Sequence, residues 1–340
     1  MRITALVKSP DHVCCRYRLA AYRALWERKG FQLSLRPWPR TFLSRLLLRR
    51  QLGRADLIIL QRKLLPAWQL ALLRRLTGVL LFDFDDAVFL RDSYSPQGCY
   101  SSSRARGFAT VMRACDAIIA GNDFLRDHAT LWTSADRVHV VRTCVDPDRY
   151  PLAEHVRAGS RVQLVWIGSA STLRGLERVR PMLENLGERW PGLDFKIICD
   201  RFLQLQHLPV LCCPWSQTTE AFELAGADIG ISWLPGDLWS RGKCCLKVLQ
   251  YMAAGLPVVA NPVGMQAQLV RHGKTGFLVE TPEQWSEAIG RLAHDPELRR
   301  RLGRAGRQRV EQDFSFANGA RRWLELLRKV EKGQSLAQPL

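Results

Sequence analysis

The 340-residue sequence predicts an α/β protein made of two doubly wound domains. Its length is the first indication, because one hydrophobic core rarely supports a chain of this size. The second is that short runs rich in β-branched residues and leucine alternate with segments of helical periodicity. That alternation is typical of parallel strands joined by crossover helices. The composition, 47% hydrophobic and 24% charged, is that of a globular protein and argues against a disordered or fibrous chain.

The predicted strands fall into two groups along the chain. They are residues 3–7, 57–60, 79–82, 117–120 and 138–141, then 163–167, 195–199, 229–233 and 258–260. A polar stretch with Pro147, Pro151 and Gly159 separates the groups and has neither strand nor helix period. We therefore expect one domain over residues 1–155 and a second over 156–315.

A helix is predicted at residues 316–332, where apolar residues recur at helical spacing. It could finish either domain, including by crossing back to the first. Ligands of doubly wound sheets bind outside the carboxyl ends of the strands, so the loops after Ile167, Trp233 and Ala260 should matter most.

The net charge of +18 is concentrated near the N-terminus. Residues 1–80 contain 17 lysines and arginines against only Asp11, Glu27 and Asp56. Such an asymmetry indicates an anionic partner, which could be nucleic acid, an anionic membrane surface or a phosphorylated substrate. Residues 41–54 form a basic amphipathic stretch that could dock on a membrane or pack as an ordinary domain helix.

Compartment and redox state follow from what the sequence lacks. No apolar run reaches 18 residues and the N-terminus opens into a strand-like segment, so we expect neither a transmembrane helix nor a signal peptide. The ten cysteines include adjacent pairs but no Cys-x-x-Cys spacing, which favours reduced thiols without a metal site. We expect a cytoplasmic protein, with peripheral association with the inner face of the cytoplasmic membrane as an alternative.

The most specific segment is residues 243–264, Lys-Cys-Cys-Leu-Lys-Val-Leu-Gln-Tyr-Met-Ala-Ala-Gly-Leu-Pro-Val-Val-Ala-Asn-Pro-Val-Gly. It predicts a helix ended by Gly255, then a strand, then a turn at Gly264 whose amides could meet an anion.

Three polar residues stand out within this segment. Lys243, Lys247 and Gln250 are three or four positions apart and should share one helical face near the helix N-terminus. Two cations and an amide there suit a diphosphate and its sugar, although an exposed helix face is the simpler alternative.

This segment, with residues 272–279 and 303–307 after it, resembles the C-terminal domain of GT-B glycosyltransferases, in particular retaining family 4 (glycosyl transferases group 1). The resemblance extends more weakly to residues 165–169, which look like the first strand and loop of that domain. Residues 82–87 and 118–122 look like N-domain elements.

The resemblance implies two Rossmann-like domains facing a central cleft, with the acceptor side in the first and the donor site in the second. It implies transfer of a hexose-like sugar from a UDP- or GDP-sugar with retained configuration. No metal or other cofactor is expected to be required.

One departure from the family pattern concerns two glutamates, eight positions apart, that contact the donor in many family 4 enzymes. Here the matching positions are Gly242 and Gln250. Gln250 can still hydrogen-bond a ribose, since it has donor and acceptor atoms. The helix instead resembles a subgroup with a Lys-x-x-x-Lys-x-x-Gln-Tyr pattern.

The candidate residues divide into three groups. The donor-binding candidates are Gly168, Ser169, Arg174, Asp237, Lys243, Lys247, Gln250, Gly264 and Met265. Catalytic roles are expected for Lys243 and Lys247, which would stabilise the departing diphosphate, and for Asp85 and Asp86, which could act on the acceptor hydroxyl or merely cap helices and turns. The acceptor-side candidates are Arg16, Arg18, Gln61 and Arg62.

The predicted function is therefore a glycosyltransferase acting on a lipid-linked acceptor or an envelope glycan precursor. A basic nucleic-acid-binding protein is the main alternative, weakened because no helix-turn-helix, finger or RNP-like motif accompanies the arginines. A GT-B-like binder of nucleotide sugars without turnover, or a nucleotide-sugar epimerase on the same fold, also fits the pattern.

Overall fold

The computed structural model describes residues 1–39, 52, 55–155 and 161–336. The chain forms two compact units, and both are discontinuous in sequence. The first unit comprises Met1–Cys144, Asp237–Cys244 and Phe316–Leu340. The second unit comprises Val145–Gly236 and Cys245–Ser315.

Each unit is built on a parallel sheet of six strands among the described residues. The strands of the first sheet are β1 (Arg2–Val7), β2 (Gln32–Pro37), β3 (Leu57–Gln61), β4 (Val79–Phe84), β5 (Ala117–Ala120) and β6 (Val138–Val140). Those of the second sheet are β7 (Val162–Ile167), β8 (Leu193–Cys199), β9 (Val210–Pro214), β10 (Ile229–Ser232), β11 (Val258–Ala260) and β12 (Gly276–Leu278). The strand orders are β2-β1-β3-β4-β5-β6 and β12-β11-β10-β7-β8-β9.

Helices connect the strands and cover the sheets. In chain order they are α1 (Val13–Arg18), α2 (Arg23–Arg28), α3 (Ala67–Arg74), α4 (Ser102–Ala114), α5 (Asp123–Thr130), α6 (Ala170–Arg178), α7 (Arg180–Arg189), α8 (Glu220–Ala225), α9 (Leu238–Arg241), α10 (Leu246–Ala253), α11 (Met265–Leu269), α12 (Pro282–His294), α13 (Pro296–Asp313) and α14 (Phe316–Glu331). In the first unit, α4 connects the parallel neighbours β4 and β5, as expected for a crossover helix.

The first unit buries both faces of its sheet. Helices α3, α4 and α5 pack on one face through residues such as Leu70, Phe108 and Leu125. On the other face, α14 packs with α1 and α2, and the rings of Trp26 and Trp323 meet edge to face with centroids 5.4 Å apart. The helix that is last in sequence thus completes the core of the unit that is first.

The second unit has a core centred on Trp166, Phe195 and Trp285. Tyr251 of α10 ties two of its strands together. The Tyr251 hydroxyl accepts a hydrogen bond from the Ile167 amide at 3.1 Å and donates to the Ile231 carbonyl at 3.2 Å. Helix α10 is therefore fixed against the carboxyl ends of β7 and β10, where ligands of such sheets bind.

The predicted strands are all observed, and the structure adds β2, β9 and β12. Strands β2 and β9 lie at sheet edges and β12 has three residues, so none gave a long apolar run. The predicted C-terminal helix is α14, which belongs to the first unit. The functional division near residue 155 remains a prediction, while the packing units change over at Cys144.

Two further expectations concern membranes. No helix among the described residues is long and apolar enough to cross a bilayer. The basic stretch 41–54 lies outside the described residues, apart from Leu52, which is buried in the core of the first unit.

Candidate functional site

The first unit carries three aspartates at the end of β4. Asp83 is fully buried, and its carboxylate accepts hydrogen bonds from Arg18 at 2.6 Å and from Gln61 at 2.9 Å. Arg18 is only 1% exposed and also donates to the Val141 carbonyl. Arg18 and Gln61 were expected on the acceptor side. In the structure Arg18 neutralises the buried Asp83 carboxylate, and Gln61 donates a hydrogen bond to it.

Arg62 follows β3 and faces the other two aspartates. Its φ of +58° lies in the left-handed region, which costs a non-glycine residue on the order of 1 kcal/mol. In this conformation its guanidinium donates to Asp86 Oδ2 at 2.6 Å, lies 3.5 Å from Asp85 Oδ1 and contacts the Cys14 thiol. The predicted Arg62, Asp85 and Asp86 are therefore brought together in one cluster.

Lys243 joins the same cluster from a distant part of the sequence. Its Nζ lies 3.2 Å from Asp86 Oδ2 and 3.3 Å from the centroid of the Trp239 ring. Asn122 ends the stretch 118–122 that resembles an N-domain element, but it was not among the predicted site residues. Its buried side-chain amide donates to the carbonyls of Gly242 and Lys243 at 3.2 and 3.3 Å. Its position directly after β5 was the available signal, since strand ends carry sites in such sheets.

Charge in this cluster favours the ionised form of Asp85. Burial by itself would raise the pKa of Asp85, but the charges of Arg62, Arg18 and Lys243 outweigh it and lower that pKa. Burial, together with the charge of Asp85, raises the pKa of the Cys14 thiol well above its usual range. Asp85 can therefore accept hydrogen bonds at neutral pH, while the thiol stays protonated.

The segment around Lys243 is shaped by two small features. Asp237 caps α9 by accepting a hydrogen bond from the Ser240 amide at 2.8 Å, so this donor-site candidate has a structural role in the first unit. At Gly242, a Cβ atom would lie 2.7 Å from Ala87 Cβ and 2.8 Å from the Ala87 nitrogen. The position that matches a family glutamate thus has no room for a side chain.

In the second unit, α10 begins at Leu246 rather than near Lys243. Cys245 precedes it with φ +52°, a left-handed conformation that separates the helix from the preceding segment. The expectation that Lys243, Lys247 and Gln250 share one helical face is therefore wrong for Lys243, which lies before the helix and in the first unit.

The other two residues of that expected face do lie on α10. Lys247 Nζ lies 4.2 Å from the centroid of Trp166, near the end of β7. Gln250 is 4% exposed and donates to the Tyr150 hydroxyl at 3.2 Å. Lys247 is thus held near the end of β7, and the Gln250 side-chain amide is buried inside the second unit.

The loop after β7 uses its amides internally. The Gly168 amide donates to the Ile198 carbonyl at 3.1 Å, and the Ser169 amide donates to Thr172 Oγ1 at 3.1 Å in the capping box of α6. These two predicted anion-binding amides are therefore already paired. Gly168 is required for a different reason, because a Cβ there would lie 2.2 Å from the Trp166 ring.

The turn after β11 is arranged differently. Gly264, with φ +55°, precedes α11, and among the described residues no acceptor faces the amides of Gly264 and Met265. Asn261 lies in the loop after Ala260 that was expected to matter, although it was not a predicted site residue. It fixes this turn by exchanging hydrogen bonds of 2.9 and 2.7 Å with the backbone of Leu234. The side-chain amide of Gln266 in turn donates to the backbone carbonyl of Asn261 at 2.8 Å and to its Oδ1 at 3.0 Å.

The remaining candidates lie at the surface. Arg174 is exposed on α6, and Arg16 is half-buried with its guanidinium 5.4 Å from the centroid of the Tyr17 ring. Among the described residues, no group of three His, Cys, Asp or Glu side chains could hold a metal ion. That no metal is required remains a prediction.

Comparison with known proteins gives one family-model match over part of the chain and a set of similar relatives. Residues 238–309 match the family model of the glycosyl transferases group 1. The chain is 30% identical over 270 residues to an alpha-maltose-1-phosphate synthase of Mycolicibacterium smegmatis, and 28% identical over 263 residues to that of Mycobacterium tuberculosis. Each match covers 65% of this chain and spans 65% of the length of the relative.

Solved structures extend the likeness to nearly the whole chain. Sucrose-phosphate synthase from Thermosynechococcus elongatus superposes with a TM-score of 0.74 at 16% identity, covering 98% of this chain and 100% of that one. HepE of Anabaena, solved in complex with UDP and glucose, gives 0.70 at 15% identity, covering 97% and 100%. The chain therefore has the GT-B fold and carries the glycosyl transferases group 1 sequence pattern in residues 238–309.

Proposed function

We propose that this chain is a retaining glycosyltransferase that moves a hexose-like sugar from a UDP- or GDP-sugar to an acceptor. The observation that carries the proposal is Lys247, whose ammonium is held over Trp166 at the carboxyl end of β7. A fixed cation at that position suits the diphosphate of a nucleotide sugar, because the departing diphosphate gains negative charge during transfer.

The donor would meet a small set of groups in the second unit. Lys247 supplies positive charge, and the Gly264 and Met265 amides supply hydrogen-bond donors at the start of α11. Arg174 is a further exposed cation on α6. Because the amides of Gly168 and Ser169 are already paired, we assign them the shaping of the loop instead of direct phosphate binding.

The acceptor role is assigned to the first unit. Asp85 and Asp86 lie beside Arg62 and Lys243, and the lowered pKa of Asp85 keeps its carboxylate ionised. An ionised carboxylate can accept a hydrogen bond from an acceptor hydroxyl and orient it. Arg62, which lies beside both carboxylates, and Arg16 of α1 are cations that favour an acceptor with negative charge.

UDP is the first nucleotide to test, because HepE was solved with UDP and glucose. An anionic acceptor that is lipid-linked, or is an envelope glycan precursor, agrees with the basic N-terminal part of the chain. We propose a cytoplasmic protein that docks peripherally on the membrane, with residues 41–54 as one candidate contact.

A second candidate is a protein that binds the nucleotide sugar without transferring it. It is favoured by Gly242, which has no room for a side chain, and by Gln250, which is buried against Tyr150. Both positions hold glutamates in many family 4 enzymes. Nucleotide binding without release of free nucleotide in the presence of any acceptor would identify this candidate.

The test is a thermal-shift screen of the full chain against UDP, GDP and their common sugar conjugates. A ligand that binds only the folded state raises the unfolding midpoint in proportion to its affinity. We expect a shift with one nucleotide family that Lys247→Ala abolishes. Lys274→Ala is the matched control, because Lys274 is exposed in the same unit.

Two results would contradict the proposal. The absence of any shift on folded protein would argue against a nucleotide-sugar site. A shift that survives in Lys247→Ala would place the nucleotide elsewhere. Salt-sensitive binding to DNA or RNA without nucleotide binding would instead support the nucleic-acid alternative.

A further inference from the structure

One outer surface of the first unit combines exposed apolar side chains with cations. Helices α3, α4 and α5 pack side by side on the same face of the sheet, since their inner residues share one core. The outer sides of α3 and α4, which contact each other, form one layer. Helix α3 packs against α4 close to Gly107, where a Cβ would lie 3.4 Å from Leu64 Cβ.

The apolar part of this layer is unusual for its exposure. Trp68 is 62% exposed and Leu72, one helical turn later on α3, is 38% exposed. Residues four apart on a helix lie on the same side, so the two form one ridge. Large apolar side chains grouped at a surface mark sites that contact a partner or a membrane.

The charged side chains of α3, α4 and their flanking residues are all basic. No acidic residue occurs in 62–82 or in 93–115, which include α3 and α4. Arg74 pairs with Asp116, but the described residues offer no carboxylate partner to the exposed Lys63, Arg75 and Arg106. We call Trp68 and Leu72, together with these three cations, the α3–α4 surface.

We propose that the α3–α4 surface docks the protein on an anionic lipid bilayer. An amphipathic tryptophan and a leucine insert at the level of the headgroups, while the surrounding cations contact the lipid phosphates. The Trp68 ring could stack on a nucleic-acid base. A bilayer fits better, because the neighbouring Leu72 gains most from burial in the acyl boundary and the two side chains form one apolar ridge.

This inference names the membrane partner of the proposed function but does not rest on sugar transfer. The surface lies on the outer side of α3 and α4, and none of its residues belongs to the aspartate cluster or to the nucleotide site proposed above. Vesicle binding and the nucleotide thermal shift can therefore succeed or fail separately.

The experiment is co-sedimentation of the full chain with vesicles. One set contains phosphatidylcholine alone, and the other contains phosphatidylcholine mixed equally with phosphatidylglycerol. We expect binding to the mixed vesicles at low salt, weakened at least about tenfold on the neutral ones.

Two variants test the surface itself. Trp68→Ala with Leu72→Ala removes the ridge, and Lys63→Glu with Arg75→Glu and Arg106→Glu reverses the charge. We expect each to lower the partition coefficient about tenfold, because apolar burial and electrostatic attraction both contribute to docking. Phe222→Ala is the control, since Phe222 is 68% exposed in the second unit and should bind like the native chain. An unchanged unfolding midpoint establishes that each variant is folded.

Three outcomes would overturn the inference. The first is native protein that ignores mixed vesicles. The second is binding that both variants retain while Arg45→Gln with Arg49→Gln and Arg50→Gln loses it, which would place docking in residues 41–54. The third is charge-dependent binding to RNA in the absence of vesicle binding, which would make the surface a nucleic-acid contact.

Discussion

Lys243 Nζ lies 3.2 Å from Asp86 Oδ2, although 157 positions separate the two residues in the sequence. The same carboxylate oxygen accepts a hydrogen bond from Arg62 at 2.6 Å. Trp239 supports the lysine from its ring face. Asp86, which follows β4, therefore faces two cations: Arg62, directly after β3, and Lys243, shortly after α9.

If the aspartate cluster serves transfer, Lys243→Met should lower turnover about a hundredfold, the typical loss when one electrostatic contact to a transition state is removed. The fold should survive, because Asp86 keeps Arg62 as its partner. Release of free nucleotide in the presence of an acceptor measures the effect. Lys274→Met, at an exposed lysine, is the control. Unchanged turnover in Lys243→Met would remove this lysine from the catalytic residues.

Gly242→Ala should destabilise the first unit by about 1–3 kcal/mol, because the added methyl group would overlap the Ala87 backbone. Gly236→Ala is the matched control, since a Cβ there would meet no atom within 4 Å. Urea unfolding gives both free energies. Equal stability of the two variants would show that the Ala87 segment moves easily. In that case the family glutamate could be restored at position 242.

Asp83→Ala should cost about 3–5 kcal/mol of unfolding free energy, because it leaves the Arg18 guanidinium buried without its carboxylate. Replacing both residues, as in Arg18→Met with Asp83→Leu, should cost less than the sum of the single changes. The comparison is again made by urea unfolding. If Asp83→Ala instead leaves stability intact and weakens acceptor binding, Arg18 belongs to the acceptor side after all.

Acid should weaken the first unit through His139. Burial, reinforced by the charge of Lys329, lowers the pKa of His139 from 6.5 to about 4. The unfolded chain then binds the proton first, so stability is full above pH 6.5 and falls as the pH drops towards 4, by at most about 3 kcal/mol. His139→Gln should remove this part of the pH dependence. His207→Gln, at a side chain that is 48% exposed, should not.

The fold follows from local pattern to a large extent. Runs such as residues 117–120 and 258–260 are buried on both sides of their sheets, so they read as continuous apolar segments. Strand β2 escaped prediction because Ser34 and Arg36 interrupt it at a sheet edge, where one side faces water. Gly255 was a reliable signal, because it ends α10 with a φ of +71°, which glycine adopts without strain.

The site was predictable only in part, because its contacts are long-range. Asp85, Asp86 and Arg62 were found from their positions at strand ends. The contact between Lys243 and Asp86 was not predicted, because it depends on Asn122, which holds the backbone of Gly242 and Lys243. Helical spacing placed Lys243 beside Lys247, and only the left-handed conformation of Cys245 shows that the chain turns between them.

The position of α14 has a consequence for synthesis. The ribosome makes Tyr22 and Trp26 early, but their packing partners Phe316 and Trp323 emerge only after the whole second unit. Until then one apolar face of the first sheet is covered only in part, by α1 and α2, and exposed apolar surface of this kind is what chaperones bind. The second unit, whose residues all precede α14, can fold first. We therefore expect the second unit to complete its fold before the first, although its sheet comes later in the sequence.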